Sequence, residues 1–300
     1  MKRPRVALLI ESSRGYGRRL LRGVARYARN HGPWSLVWQD RGLEPTVPDW
    51  LRGWQGDGII ARVESRDIER ATNATGVPVV DVRGRFDLNT PLVETDDQLV
   101  AQAAAEHLIE RGFTQFAYCG FAGVNYSERR LQFFPACLQE RGFDCIAYEA
   151  AASTKKKDQR IREQHGIQFE RELADWVKSL PRPIGVMACN DLRGQQLLNA
   201  CREVDVAVPD DVAVIGVDND RVICELSDPP LSSVEPDADR IGYEAAALLD
   251  RMMQGESPSQ KKTFIAPSKI ATRQSSDVLA IDDELVSQAV RYIRQHACEG

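Results

Sequence analysis

Val208-Pro209-Asp210-Asp211-Val212-Ala213-Val214-Ile215-Gly216-Val217-Asp218-Asn219 is the stretch on which the fold class turns. Residues 212–217 carry no polar side chain and are rich in Val and Ile, and a Pro-Asp-Asp turn precedes them. A run this short and this β-branched reads as a strand. Being continuously apolar, it is a strand covered on both faces, which is the situation of a parallel sheet between layers of helix. The neighbouring segments agree. Residues 184–188 repeat the pattern, and 191–204 between the two runs is helical. Downstream come a strand at 231–234, a helix at 237–253 and two short strands at 263–266 and 268–272. Upstream lie a helix at 168–180 stopped by Pro181, a strand at 145–148, a helix at 127–141, a strand at 116–119 and a helix at 97–111. Gly112 and Gly142 follow two of these helices, as left-handed C-caps do.

The first hundred residues alternate in the same way. Residues 6–10 are a strand, and 15–30 a helix whose Leu20, Leu21, Val24, Tyr27 and Ala28 share one face. Strands follow at 34–38, 57–61 and 77–82, with a helix at 65–74 capped by Ser65. The sum is an α/β chain of two doubly wound parallel-sheet lobes, with late elements that could return to either one. Open parallel sheets take ligands beyond the carboxyl ends of their strands, so a ligand cleft between the lobes is expected. Residues 153–164, Ser-Thr-Lys-Lys-Lys-Asp-Gln-Arg-Ile-Arg-Glu-Gln, have no apolar face and read as a solvated loop.

Composition narrows the class. The chain has 300 residues, 43% hydrophobic and 28% charged, enough for a sizeable core without disulfides or metals. Its 39 basic and 44 acidic groups give a net charge of −5, which argues against this region itself binding nucleic acid. No apolar run approaches a membrane span. The apolar stretch after Met1-Lys2-Arg3-Pro4-Arg5 ends at Glu11 with no small-residue cleavage site, so it reads as a first strand, not a signal peptide. The seven cysteines are scattered and never form a C-x-x-C pair, which favours free thiols in a reducing cytoplasm. The four histidines show no ligand spacing, so no metal is expected.

Residues just after the strands form a candidate site: Glu11-Ser12-Ser13, Arg62, Asp81 with Arg83, Phe121 onward, Asn190-Asp191 and Asp218-Asn219-Asp220. Helix starts add Tyr16 and Tyr126-Ser127-Glu128-Arg129. Carboxylates accept from vicinal hydroxyls, Arg and Asn donate to them, and an aromatic face covers the C–H side of a sugar ring. Some of these residues serve as helix caps, as Asp and Asn commonly do. Arg62 is an unusual choice for a neutral pentose: it pairs with Glu11 or Glu64, or it selects an acidic sugar. Enzyme signatures are missing, with no G-x-S-x-G, P-loop or H-E-x-x-H pattern. Gly15-Tyr16-Gly17 lacks the third glycine of a dinucleotide fingerprint, and no cofactor is expected.

Several motifs carry a resemblance. They are Asp96-Asp97 with Ala103-Ala104, His107-Leu108 and Arg111-Gly112-Phe113; Ser127-x-Arg129 with Phe133; and Ala188-Cys189-Asn190-Asp191 with Gly194. The opening stretch, Pro230-Leu231-Ser232-Ser233-Val234 and Gly242-Tyr243-Glu244-Ala245-Ala246-x-Leu248-Leu249 complete the set. In this order and spacing, over residues 5–275, they resemble the effector-binding domain of lactose- and galactose-repressor-type regulators, which is similar to periplasmic sugar-binding proteins of type I. In residues 281–300, Leu285, Val286, Ala289, Val290 and Ile293 make one helical apolar face. That segment, and the Gly15-Tyr16-x-Arg18 opening, resemble xylose-operon activators, in which an arabinose-regulator-type DNA-binding domain follows the sugar-binding domain. The chain then stops where the rest of that domain should begin; a self-contained C-terminal helix is the alternative.

The resemblance implies lobes of residues 1–95 plus 233–262 and 96–232 plus 263–278, with 279–300 as linker and first helix of a helix-turn-helix domain. It implies Asn190, Asp218 and Arg129 as ligand contacts, with Arg130 in place of Arg129 if that helix is turned the other way. Glu11, Tyr16, Arg62, Tyr126 and Asp191 come from the strand ends and helix starts. The expected protein is a cytoplasmic, non-enzymatic sensor of a small-molecule sugar, a pentose such as xylose, that responds by lobe closure. A homodimer is expected, with operator DNA contacted only through the C-terminal domain and no membrane partner. An exported sugar-binding protein of a transporter and an α/β enzyme acting on a sugar are the competing classes.

Overall fold

A computed structural model describes residues 3–44, 46–148 and 170–278, together with Val286, Ala289 and Tyr292. In chain order the elements are β1 (Arg5–Leu9), α1 (Gly15–His31), β2 (Ser35–Trp38), a 3₁₀ turn at Asp49–Leu51, β3 (Gly58–Ala61), α2 (Arg66–Asn73), β4 (Val79–Asp81) and β5 (Leu92–Thr95). There follow α3 (Asp97–Ile109), β6 (Phe116–Cys119), α4 (Asn125–Gln139), β7 (Cys145–Ala147), α5 (Glu170–Ser179), β8 (Ile184–Ala188), α6 (Asp191–Glu203) and β9 (Val212–Val217). The last are α7 (Arg221–Leu226), β10 (Ser232–Glu235), α8 (Ala238–Met253), β11 (Lys262–Ile265) and β12 (Lys269–Ala271). The expected loop at 153–164 lies outside the described residues, as does most of the expected helix at 281–300. Of the latter, Val286, Ala289 and Tyr292 are described, helical and exposed.

The elements form two compact units, Met1–Asp96 with Pro236–Pro267 and Asp97–Glu235 with Ser268–Gly300. In the first, the described strands make a six-stranded parallel sheet ordered β11-β5-β4-β3-β1-β2. The register is set by pairs such as Val6 with Gly58 and Leu9 with Ala61. Because side chains alternate across a strand, Val6, Leu8, Ile60 and Val80 meet Leu20, Val24, Ile241 and Leu249 of α1 and α8 on one face. Ala7, Leu9, Ile59 and Ala61 meet Ile68 of α2 on the other. Both faces are buried at the centre of the sheet, which is why Val6–Leu9 of β1 and Gly58–Ala61 of β3 carry no polar side chain.

The second unit repeats the plan with order β12-β10-β9-β8-β6-β7, parallel except that β12 runs antiparallel to β10. Ala213, Ile215 and Val217 face Val100, Ala104, Leu108, Phe134 and Leu138 of α3 and α4. Val212 and Val214 face Val177, Leu197 and Cys201 of α5 and α6. The expected lobe boundaries need correcting in two places. Lys262–Ile265 pairs with Leu92–Thr95, so β11 belongs to the first unit and not to the second. Ser232–Val234 pairs with Ile215–Val217, so residues 233–235 stay with the second. Sequence reading did not identify β5 or α7, and it ran helix 97–111 two residues past the end of α3; Gly112 takes φ 84° as a C-cap glycine would.

Candidate functional site

Each sheet carries a cluster of polar side chains at the carboxyl ends of its strands. In the first unit Glu11 follows β1 and is only 7% exposed. One of its oxygens accepts from the Arg62 guanidinium at 2.8 Å, and the other accepts from the Arg14 backbone N–H and the Ser13 hydroxyl, both at 3.1 Å. A Cβ at Gly17 would lie 2.0 Å from the Glu11 carbonyl oxygen. The glycine therefore lets the first turn of α1 close on Glu11, which gives the Gly-Tyr-Gly opening its physical reason. Tyr16 lies with its ring 5.5 Å from the Arg62 guanidinium carbon and its hydroxyl 3.1 Å from Thr95 Oγ1.

Arg62 also faces Glu64 at 3.4 Å, and Arg83 donates to Glu64 at 2.7 Å. Burial by itself would push the Glu64 carboxyl up, but Arg83, Arg62 and Arg85 outweigh it and hold the carboxyl below its ordinary range. Asp81 accepts the backbone N–H groups of Val63, Arg83 and Gly84 at 2.9–3.1 Å. It fastens the loops after β3 and β4 to each other, and burial raises its pKa to about 6.

In the second unit the centre is Arg130, 3% exposed. It donates to Asp97 at 2.8 Å and to the Cys189 carbonyl, and its guanidinium carbon lies 5.2 Å from the Tyr126 ring. Burial works against its charge, yet Asp97 and Asp218 more than offset this and hold its pKa above the ordinary arginine value. Asn190 both caps α6, accepting from Arg193 N–H at 2.9 Å, and donates to the Tyr126 hydroxyl at 3.0 Å. Asp218, the last residue of the opening stretch but one, sits just past β9 at φ 110°, and Asn219 after it at φ 47°.

The structure thus gathers Glu11, Tyr16 and Arg62 in one cluster, and Tyr126, Asn190, Asp218 and Arg130 in the other. Arg129 shares Asp97 at 2.7 Å with its side chain 29% exposed, so of the two arginines it is Arg130 that lies inside. Asp191 is turned inward and 1% exposed. Its oxygens accept from the Ser233 hydroxyl at 2.5 Å and the Asp220 N–H at 2.7 Å. Burial, and then the charge of Asp218, raise its carboxyl well above the usual range. Asp191 braces the loop after β9 and is not among the outward-facing groups. Sequence reasoning named Glu64 as a possible partner of Arg62, which the structure shows, but it placed Asp97 only within a motif and gave it no role beside Arg130. The buried stripe Ser127, Arg130, Phe134, Leu138 on α4 was the available signal for Arg130.

A family model described as "Periplasmic binding protein-like domain" matches residues 105–276, and one described as "XylR N-terminal domain" matches residues 5–98. The xylose operon regulatory protein of Escherichia coli (strain K12) is 30% identical over 310 residues, covering 100% of this chain and 76% of that protein. The chain belongs to the xylose-operon regulator family. The xylose operon regulatory protein of Haemophilus influenzae is likewise 30% identical, over 98% of this chain and 76% of its own length. A solved structure of the xylose-binding transcription activator xylR superposes with a TM-score of 0.83 at 29% identity, covering 100% of this chain and 76% of that one. A cellobiose complex of the regulator CelR, at 23% identity, TM-score 0.70 and coverage of 92% and 86%, shares the fold. Among the described residues no helix is long and apolar enough to cross a membrane. The same residues hold no group of three or more His, Cys, Asp or Glu placed to bind a metal.

Proposed function

We propose that this chain is the sugar-sensing region of a DNA-binding transcription regulator and that its effector is a neutral pentose such as xylose. The observation that carries the choice of a neutral ligand is the pairing of Arg62. Its guanidinium faces both Glu11 and Glu64, so its charge is met within its own unit and is not held out for a uronate. In the other cluster Arg130 faces Asp97 and Asp218 in the same way. What both clusters offer outward is hydrogen-bonding capacity with charges already balanced, beside the rings of Tyr16 and Tyr126. Polyhydroxylated neutral molecules fit that description.

Glu11, Tyr16, Arg62, Tyr126, Asn190, Asp218 and Arg130 are the proposed ligand contacts, and closure of the two units on the sugar is the proposed response. A response of this kind requires the closed form to bind the sugar better than the open one. In the dimeric cytoplasmic regulator, operator DNA is read by an arabinose-regulator-type domain that begins within residues 279–300, while the net charge of −5 keeps this region off phosphate. Calorimetric titration with D-xylose, L-arabinose, D-glucose and D-glucuronate tests the reading. Xylose is expected to bind tightest. Tighter binding of glucuronate would overturn the assignment of a neutral ligand, and no binding by any of the four would overturn the sensor itself.

A further inference from the structure

Beyond the contacts themselves, the loop that presents Asp218 is held in an unfavourable backbone form by a side chain from far along the chain. Asp218 and Asn219 are consecutive non-glycine residues at φ 110° and 47°. Conformations of this kind persist only when the surroundings over-determine them. Here the Asp218 N–H donates to the Val234 carbonyl, the Asn219 N–H to the Ser233 hydroxyl and the Asp220 N–H to Asp191. The Asn219 side chain is clamped at both ends. Its Nδ2 donates to Glu235 at 2.6 Å, and its Oδ1 accepts from Arg273 Nη2 at 2.8 Å.

Arg273 is well placed for this. Its Nη1 donates to the Leu231 carbonyl at 2.8 Å, while its backbone N–H and C=O exchange hydrogen bonds with the Ser232 hydroxyl, each at 2.8 Å. The residues after it are equally fixed. Ser275 and Ser276 are fully buried. The Ser275 hydroxyl donates to the Val214 carbonyl at 2.6 Å and accepts from the Ser232 N–H at 2.8 Å. Ser276 meets His107 at 2.7 Å and Arg111 at 2.8 Å. The segment Arg273–Val278 is therefore bonded directly to the two strands, β9 and β10, that carry and brace the Asp218 loop.

We infer that Arg273 is a positioning residue: acting through Asn219, it sets the backbone of the loop that presents Asp218, and it ties occupancy of the proposed sugar site there to the segment Arg273–Val278. The second half of this inference rests on the sensor reading above, and the first half does not. Two measurements on the full chain separate them. The first, without sugar, is amide exchange followed by NMR. Arg273→Ala and Asn219→Ala should each speed exchange at positions 219 and 220 by more than tenfold while leaving Val186 and Tyr118 unchanged. Uniform acceleration across the unit would reduce Arg273 to a general stabiliser, and unchanged exchange in the loop would end the inference.

The second is a double-mutant cycle on D-xylose affinity. Each single variant should weaken binding about tenfold or more, and the pair should be no weaker than either alone, because both break one chain of contacts. Arg273→Lys, which keeps the charge but cannot span Leu231 and Asn219 together, should recover only part of the loss. Additive losses, or full recovery by lysine, would overturn the proposal. If Arg273→Ala does not fold, Asn219→Ala and Arg273→Lys carry both measurements. Should the unaltered chain bind no sugar, the sensor reading and the coupling to occupancy fall together, while the exchange data still decide whether Arg273 sets the loop.

Discussion

Arg130 reaches Asp97 and the Cys189 carbonyl from almost complete burial, whereas Arg129 reaches the same carboxylate from a side chain that is 29% exposed. Removing a buried partner of an ion pair costs up to about 3–5 kcal/mol, whereas a partner whose charge is partly in water contributes less, toward the roughly 0–1 kcal/mol of exposed pairs. Arg130→Ala should therefore destabilise the second unit several-fold more than Arg129→Ala in urea unfolding and should abolish xylose binding in calorimetry. Comparable effects of the two would contradict the assignment of Arg130 as the inner arginine. For Asp218 the informative change is to Asn, which tolerates positive φ better than Ala and removes only the charge. Loss of a charged hydrogen bond to the sugar should cost roughly 1.5–3 kcal/mol of affinity, with the unfolding midpoint nearly unchanged.

Titration offers a further test at this scale. Burial, with Arg111 nearby, lowers His107 to about 4, so between that value and 6.5 the unfolded chain binds the extra proton. The stability His107 contributes is complete above pH 6.5 and is lost as pH falls toward 4, by roughly 3 kcal/mol at about 1.4 kcal/mol per unit. Asp81 in the first unit runs the other way: with its pKa raised to about 6, its contribution is present below pH 3.8 and lost as pH rises through 6. His107→Gln should flatten the acid limb of the second unit's unfolding profile and leave that of the first unit alone. The types of residue at the site were legible because strand ends are predictable from apolar runs. Which of two adjacent arginines points inward was legible only from the spacing of Ser127, Arg130, Phe134 and Leu138 and was left open, since it depends on how far α4 is rotated against β6 and β7.

Among elements, α1 and α8 touch backbone to backbone. A Cβ at Gly23 would sit 2.0 Å from the Asp239 carbonyl oxygen, and one at Gly242 would sit 2.0 Å from that of Leu20. Arg19 and Arg22 then reach Asp239 across the crossing, and the Tyr27 hydroxyl reaches Asp250 at 2.9 Å. Gly23→Ala or Gly242→Ala must push the helices apart, and overpacking of this kind costs typically about 1–3 kcal/mol. Chemical denaturation should show the first unit melting earlier in either variant, with the Asn219 and Asp220 amides of the second as protected as before. The long helices and the fully apolar strands were readable from period and composition alone. β5 was not, because Glu94 and Thr95 put buried polar side chains into a four-residue strand. Nor was α7, whose six residues are too few to show a helical period.

For the whole molecule, sugar engaging both clusters should act on both units at once. At 100 times its dissociation constant a ligand stabilises by about 2.7 kcal/mol, so xylose should raise the unfolding midpoints of the two units together in a thermal scan and lower the radius of gyration in solution scattering. A rise confined to one unit, with no change in size, would restrict binding to one cluster. The chain passes between the units after Asp96, after Glu235 and after Pro267, so each unit is assembled from separated lengths of chain. Composition and pattern could show two α/β halves, but they could not show which half takes which late strand. That is decided by register, as β11 beside β5 and β12 beside β10.

The same interleaving sets a timetable for the protein's synthesis. β5 leaves the ribosome about 170 residues before β11, the strand that will cover its outer edge, and at 5–20 residues per second the wait is roughly ten to thirty seconds. For most of that interval the nascent first unit has an open sheet edge and also lacks α8, which supplies Ile241, Ala245 and Leu249 to its core. A trigger-type chaperone that shields exposed edges and apolar faces on nascent chains should therefore raise the soluble yield, and slower translation should lower it.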